Sequence, residues 1–165
     1  MTSTSSAAAV NPTDVQRKSD RELVVTRTFD APARLVFEAW SNPDLFRRWW
    51  VPEGSGLNLL SCAMDVRTGG SYRLEFSHPA MQQPMAFFGR YTDVVPGKRI
   101  AWTNEESGDE GAVTTVVFEE RDGRTLVTYS EVYPTEAALD EALSGSAEGL
   151  PLQFAQLDAM LAKGW

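Results

Sequence analysis

From Leu57 to Tyr133, short segments of alternating apolar and polar residues follow one another, separated by turn residues. A period of two buries one face of a strand and leaves the other wet, so this stretch constrains the fold more than any other. Leu60, Cys62, Met64 and Val66 alternate with polar neighbours before the Gly69-Gly70 turn. Tyr72, Leu74, Phe76 and His78 then alternate with Ser71, Arg73, Glu75 and Ser77. Phe87, Gly89 and Tyr91 continue the pattern, Pro96-Gly97 turns the chain, and Ile100 and Trp102 mark the next strand. After an acidic connection at Glu105 to Gly111, Thr114, Val116 and Phe118 share a face. Asp122-Gly123 makes a hairpin turn, and Val127, Tyr129 and Glu131 share one face of the last strand. Successive hairpins give an antiparallel sheet, and its apolar face needs a cover.

The cover comes from both sides of the stretch. Glu22 to Phe29, ELVVTRTF, is a first strand rich in β-branched residues. FDAPARLVFEAWSNPDLFRRWWVP at 29–52 reads as two short helices. Asp30 is the expected cap of the first, with Pro32 in its first turn and Leu35, Val36, Ala39 and Trp40 at helical spacing. Asn42-Pro43 repeats the start signal; Leu45, Phe46, Trp49 and Trp50 form the apolar side, and Pro52 stops the helix. Helices this short are marginal alone, so the pair must dock on the sheet. Thr135 caps a further helical stretch, TEAALDEAL, which Gly145, Gly149 and Pro151 interrupt. The final helix carries Leu150, Phe154, Leu157 and Leu161 on one stripe, with Met160 beside it.

The expected fold is therefore α+β. A curved antiparallel sheet of about six to seven strands wraps a long C-terminal helix, and two short helices follow the first strand. Residues 1–19, rich in Ser, Thr and Ala, are expected to be a flexible tail, and 20–165 a single domain. The formal charge of −8, with no Lys/Arg run, argues against nucleic-acid binding. No apolar run reaches the length of a membrane span, and the N-terminus has no basic, apolar leader. One cysteine, Cys62, cannot form an internal disulfide and fits a reducing, cytoplasmic setting. One histidine and one cysteine do not make a metal cluster, so neither metal nor cofactor is expected.

Four pieces carry a family resemblance: TRTFDAPARLVFEAWSNPDLFRRWW at 26–50, DVRTGGSYRLEF at 65–76, FGRYTDVVPGKRIAWTN at 88–104 and TLVTYSE at 125–131. In order and spacing they resemble the START-like (SRPBCC, helix-grip) superfamily. Within it the chain is similar to the group named after the activator of Hsp90 ATPase, over roughly residues 21–162. The resemblance implies a helix-grip fold. Its functional implication is broad, because the superfamily includes lipid carriers, hormone receptors, cyclases and resistance proteins. Two positions depart from the group's pattern: Gly149-Leu150 stands where Gly-Trp often opens the last helix, and Glu131 where a polar residue, often His, ends the last strand.

A curved sheet gripping one helix leaves a gap between them, which the Trp-bearing helices close at one end. The leading reading is a cavity for a small hydrophobic or aromatic molecule. Its candidate contacts are Trp49, Trp50, Met64, Tyr72, Leu74, Phe76, Phe87, Tyr91, Trp102, Phe118, Tyr129, Glu131, Phe154 and Leu157. Some of these are packed core. Trp40 reads as core, and one of the adjacent Trp49 and Trp50 faces the cavity mouth. Glu131 lies in the cavity, where desolvation would raise its pKa, or sits at the rim, or pairs with Arg90 or another base. Asp65, Arg67 and Gly69-Gly70 read as turn structure, with the glycines supplying positive φ. A second reading is an enzyme of cyclase or hydrolase type, with Glu131, His78 and Tyr129 as first suspects. A third is a protein-interaction module related to Hsp90 co-chaperones. Pairing of two copies through a sheet edge or an exposed helix stays open.

Overall fold

The computed structural model describes residues 13–105, 111–144 and 149–164. Most of the acidic connection, the Gly145 break and the first part of the expected tail lie outside these residues. The strands are β1 (Asp14–Arg17), β2 (Glu22–Phe29), β3 (Asn58–Met64), β4 (Ser71–Ser77), β5 (Met85–Val95), β6 (Arg99–Thr103), β7 (Val113–Arg121) and β8 (Arg124–Val132). The helices are α1 (Ala33–Ser41) and α2 (Pro43–Trp49) after β2, then α3 (Glu136–Ser144) and α4 (Gly149–Lys163). All eight strands form one antiparallel sheet in the order β1-β2-β8-β7-β6-β5-β4-β3. The expected α+β helix-grip fold is present, with one strand more than the alternation announces.

The extra strand is β1, inside the segment expected to be a tail. All four of its residues are exposed, so no apolar period marks it. Backbone pairing with β2, from Asp14↔Thr26 to Arg17↔Leu23, holds it instead. In β2 the inward residues are Leu23, Val25, Arg27 and Phe29. The β7–β8 hairpin turns at Asp122 and Gly123, both with positive φ, as a two-residue turn matched to strand twist requires. A bulge between Leu59 and Ser61 changes the phase of β3. Leu59 packs inward and Leu60 is 52% exposed, whereas the plain alternation had put Leu60 with Cys62 and Met64.

The start of α1 also differs from expectation. Asp30 does not cap it; its carboxylate accepts from Arg124 Nε at 2.6 Å. Thr125 Oγ1 donates to the Ala31 carbonyl at 2.7 Å, and Pro32 stays extended as the residue before the helix. The free N–H of Ala33 donates instead to Glu120 Oε1, on β7, at 2.8 Å. Asn42 caps α2 as expected, accepting from the Asp44 N–H at 2.9 Å, and Thr135 Oγ1 caps α3 through the Ala138 N–H.

The helices pack mainly on β2, β7, β8 and β3, and α4 lies against α1 and α2. The core sits there. Trp40 packs edge-on against Trp49, Phe118 and Phe154, with ring centroids 4.6, 5.4 and 5.8 Å away. Arg27 enters this side buried, pairs with Asp158 of α4 at 2.8 Å and donates to Thr13 Oγ1. No helix among the described residues is long and apolar enough to cross a membrane.

Candidate functional site

Among the described residues, no such helix layer packs on the inner face of β4, β5 and β6. Under it lies a cavity of about 960 Å³, at the upper end of the range for small-molecule sites. Its sheet wall is Met64, Tyr72, Leu74, Phe76, Phe87, Tyr91, Ile100 and Trp102. Opposite stand Trp50, Val51 and Pro52 after α2, Ala138, Glu141 and Ala142 of α3, and Gly149, Leu150 and Gln153 of α4. Asn104, Tyr129, Glu131 and Tyr133 give one side of the wall its polar character.

The position of Trp50 follows from the end of α2. The last carbonyls of a helix have no partner within it. Here α4 supplies the donors: Gln156 Nε2 donates to the carbonyls of Trp49 and Val51, each at 2.9 Å, and Gln153 Nε2 donates to that of Trp50. Trp50, so fixed, stacks on Phe46 at 4.7 Å and faces the cavity. Trp49 turns the other way, is fully buried and donates its indole N–H to the Ala39 carbonyl at 3.0 Å. The indole N–H of Trp40, which borders the cavity, has no hydrogen-bond partner among the described residues.

The polar side is a network built on strand alternation. Glu131 Oε2 accepts from Thr114 Oγ1 at 2.8 Å and from the Tyr129 hydroxyl at 3.1 Å. Its Oε1 accepts from the Tyr133 hydroxyl at 2.7 Å. Asn104 Nδ2 donates to Thr114 Oγ1 at 3.0 Å, and Tyr72 donates its hydroxyl to the Thr103 carbonyl at 2.8 Å. Burial, and then the Glu131 charge, push the Tyr129 and Tyr133 phenols well above their ordinary range. Both therefore act as O–H donors at neutral pH. Burial likewise raises Tyr91 and the Cys62 thiol. Cys62 is half-buried against Met64 Sδ at 3.4 Å, and its burial outweighs the nearby Arg47 charge, so the thiol is not activated.

Of the fourteen expected contacts, Trp50, Met64, Tyr72, Leu74, Phe76, Phe87, Tyr91, Trp102, Tyr129 and Glu131 border this cavity. Trp49, Phe118, Phe154 and Leu157 do not; they are in the packed core beneath α1 and α4. Arg90 is not the partner of Glu131: it pairs with Glu105 at 2.9 Å. His78 stands outside the cavity lining. One ring nitrogen, Nε2, contacts the Ser55 carbonyl and the other accepts from the Ala80 N–H, each at 3.0 Å, so the ring ties a turn to the end of β4. Asp65 and Arg67 pair with each other at 2.9 Å, and a Cβ at Gly70 would stand 2.0 Å from the Asp65 carbonyl, which gives that motif a structural reason.

Sequence reasoning missed Asn104, Tyr133 and Gln153. The signal was present for the first two. Alternation through Ile100 and Trp102 continues to Asn104, and through Tyr129 and Glu131 to Tyr133, one step past each strand end.

A search of the curated proteins found no match. Solved structures share the fold. One is a protein from Rhodobacter sphaeroides, 21% identical with TM-score 0.82, covering 92% of this chain and 98% of that one. Protein Ms6760 from Mycobacterium smegmatis is 25% identical with TM-score 0.77 and covers 92% and 99%. An AHSA1-like protein from Aeromonas hydrophila is 20% identical with TM-score 0.66 and covers 82% and 92%. The family described as activator of Hsp90 ATPase homolog 1-like protein matches residues 30–162. With its sheet, helices and matched span in agreement, the chain belongs to the activator of Hsp90 ATPase homolog 1-like family.

Proposed function

We propose that the protein binds a small molecule with an apolar or aromatic body and a polar end, as a carrier, sensor or sequestering protein. One observation carries this reading: a cavity of about 960 Å³ whose rings and aliphatic chains give way, on one side, to the Asn104, Tyr129, Glu131 and Tyr133 cluster. Burying apolar ligand surface there would supply affinity, and the cluster would orient the polar end.

The test uses the uncharged fluorophore pyrenemethanol. Trp50 and Trp102 border the cavity, so binding is expected to show as energy transfer from tryptophan, with Kd of about micromolar order. Ala138→Trp, which narrows the cavity from α3, should weaken binding while circular dichroism stays native. Unchanged affinity in both this variant and Leu74→Trp, on the opposite wall, would place the probe elsewhere and defeat the reading. Native and denaturing mass spectra of protein from its own host would then identify any resident ligand.

A further inference from the structure

We propose that the cavity selects cationic over anionic amphiphiles, taking an ammonium-type head at Glu131 and an apolar body among the rings. The inference rests on the binding reading above and adds the charge class of the ligand. Among the described residues the lining contains two carboxylates, Glu131 and Glu141, and no Arg, Lys or His. An anion entering it would lose water and meet no counter-charge. A cation would meet a carboxylate and a wall rich in aromatic rings, Trp50, Tyr72, Tyr91 and Trp102, a ring type whose faces attract cations.

The hydrogen bonds at Glu131 fit this role. A carboxylate offers about four acceptor sites. Three hydroxyls occupy three of them: Thr114 and Tyr129 on Oε2, and Tyr133 on Oε1. They fix the group and leave acceptor capacity on Oε1, which a ligand N–H can use. The basic side chains closest to the argument are committed elsewhere. Arg27 is bound to Asp158 on the packed side, and Arg90 to Glu105 with its side chain 68% exposed. The net charge of −8 adds a field that favours cations.

Three probes that share one ring system test the proposal: pyrenemethylammonium, pyrenemethanol and pyrenecarboxylate, titrated at neutral pH and low salt. The ammonium is expected to bind about tenfold or more tightly than the carboxylate. Glu131→Gln should cut that ratio to about threefold or less, whereas Glu119→Gln, on the exposed face of β7, should leave it as in wild type. Carboxylate binding as tight as ammonium binding in wild type overturns the charge inference alone, and needs no variant that might misfold. So does an unchanged ratio in folded Glu131→Gln. If pyrenemethanol and both charged probes all fail to bind, the cavity reading falls and takes this inference with it.

Discussion

The two halves of the sheet present the same kind of inner face and meet different fates. On β2 and β7 the inward Phe29 and Phe118 are met by α1 and α4, and the space is filled by Trp49 and Phe154, with Trp40 at its border. Strand β8 runs across both halves, with Val127 in the core and Tyr129 and Glu131 on the cavity. On β4, β5 and β6 the inward Tyr72, Leu74, Tyr91 and Trp102 are as large and as apolar, yet they border a void. Strand composition does not make the difference. The helices do: α1 and α4 lie over one half, while the other is roofed by the end of α2, by α3 and by the first turn of α4. The two halves also hold opposite charge devices. The packed side contains a cation, Arg27, already neutralised by Asp158; the open side contains a carboxylate, Glu131, held among the described residues by three hydroxyls.

Truncation should separate the halves most sharply. Phe154→Ala removes a fully buried ring from the filled side and is expected to cost about 3–5 kcal/mol in urea unfolding. Leu74→Ala enlarges a space that already exists, and should stay near the low end for such changes, about 2 kcal/mol. Equal losses would mean that both halves are packed alike.

The ion pair gives the next largest effect. Asp158→Ala leaves Arg27 buried without its counter-charge, and should cost about 2–3 kcal/mol, tempered because Asp158 is partly exposed. Replacing both partners, Arg27→Met with Asp158→Leu, should recover stability to within about 1 kcal/mol of wild type. A double variant no better than the single one would show that the pair contributes more than it costs to bury.

The smallest effect belongs to the open side and appears only at alkaline pH. Tyr129 and Tyr133 have raised pKa values in the folded state, through burial and then Glu131. Their contribution is therefore complete below the unfolded phenol value, about 10, and is lost as pH rises above it. Thermal melts of wild type should be flat with respect to these groups below that point and fall beyond it, with a shallower fall in Tyr133→Phe. Parallel curves for the two proteins would remove Tyr133 from the account.

What could be read from the sequence was whatever is local. The hairpins from β3 to β8 and the Asn42-Pro43 start of α2 depend on neighbours in the chain, and they stand where periodicity and turn residues place them. The N-terminus of α1 was not legible, because its acceptor is Glu120, far along the chain. Strand β1 was not legible, because a polar edge strand carries no apolar period. The division of inward residues into core and cavity wall was also hidden. Phe118 and Tyr72 sit in the same alternation, and only the path of α1 and α4 over the sheet tells them apart.

The place of β2 beside β8 has a consequence for how the chain reaches this state. Strands β3 to β8 can zip as successive hairpins, each needing only its predecessor. β2 must wait for a partner separated from it by all of them, and pairings of long sequence separation are slow to form. Strands β3 and β7 offer the α1–α2 pair part of its surface early, but Phe154 of α4, which completes the packing around Trp40 and Trp49, comes last. Folding should thus be completed by α4, with the tryptophan pair only partly covered on the nascent chain until then.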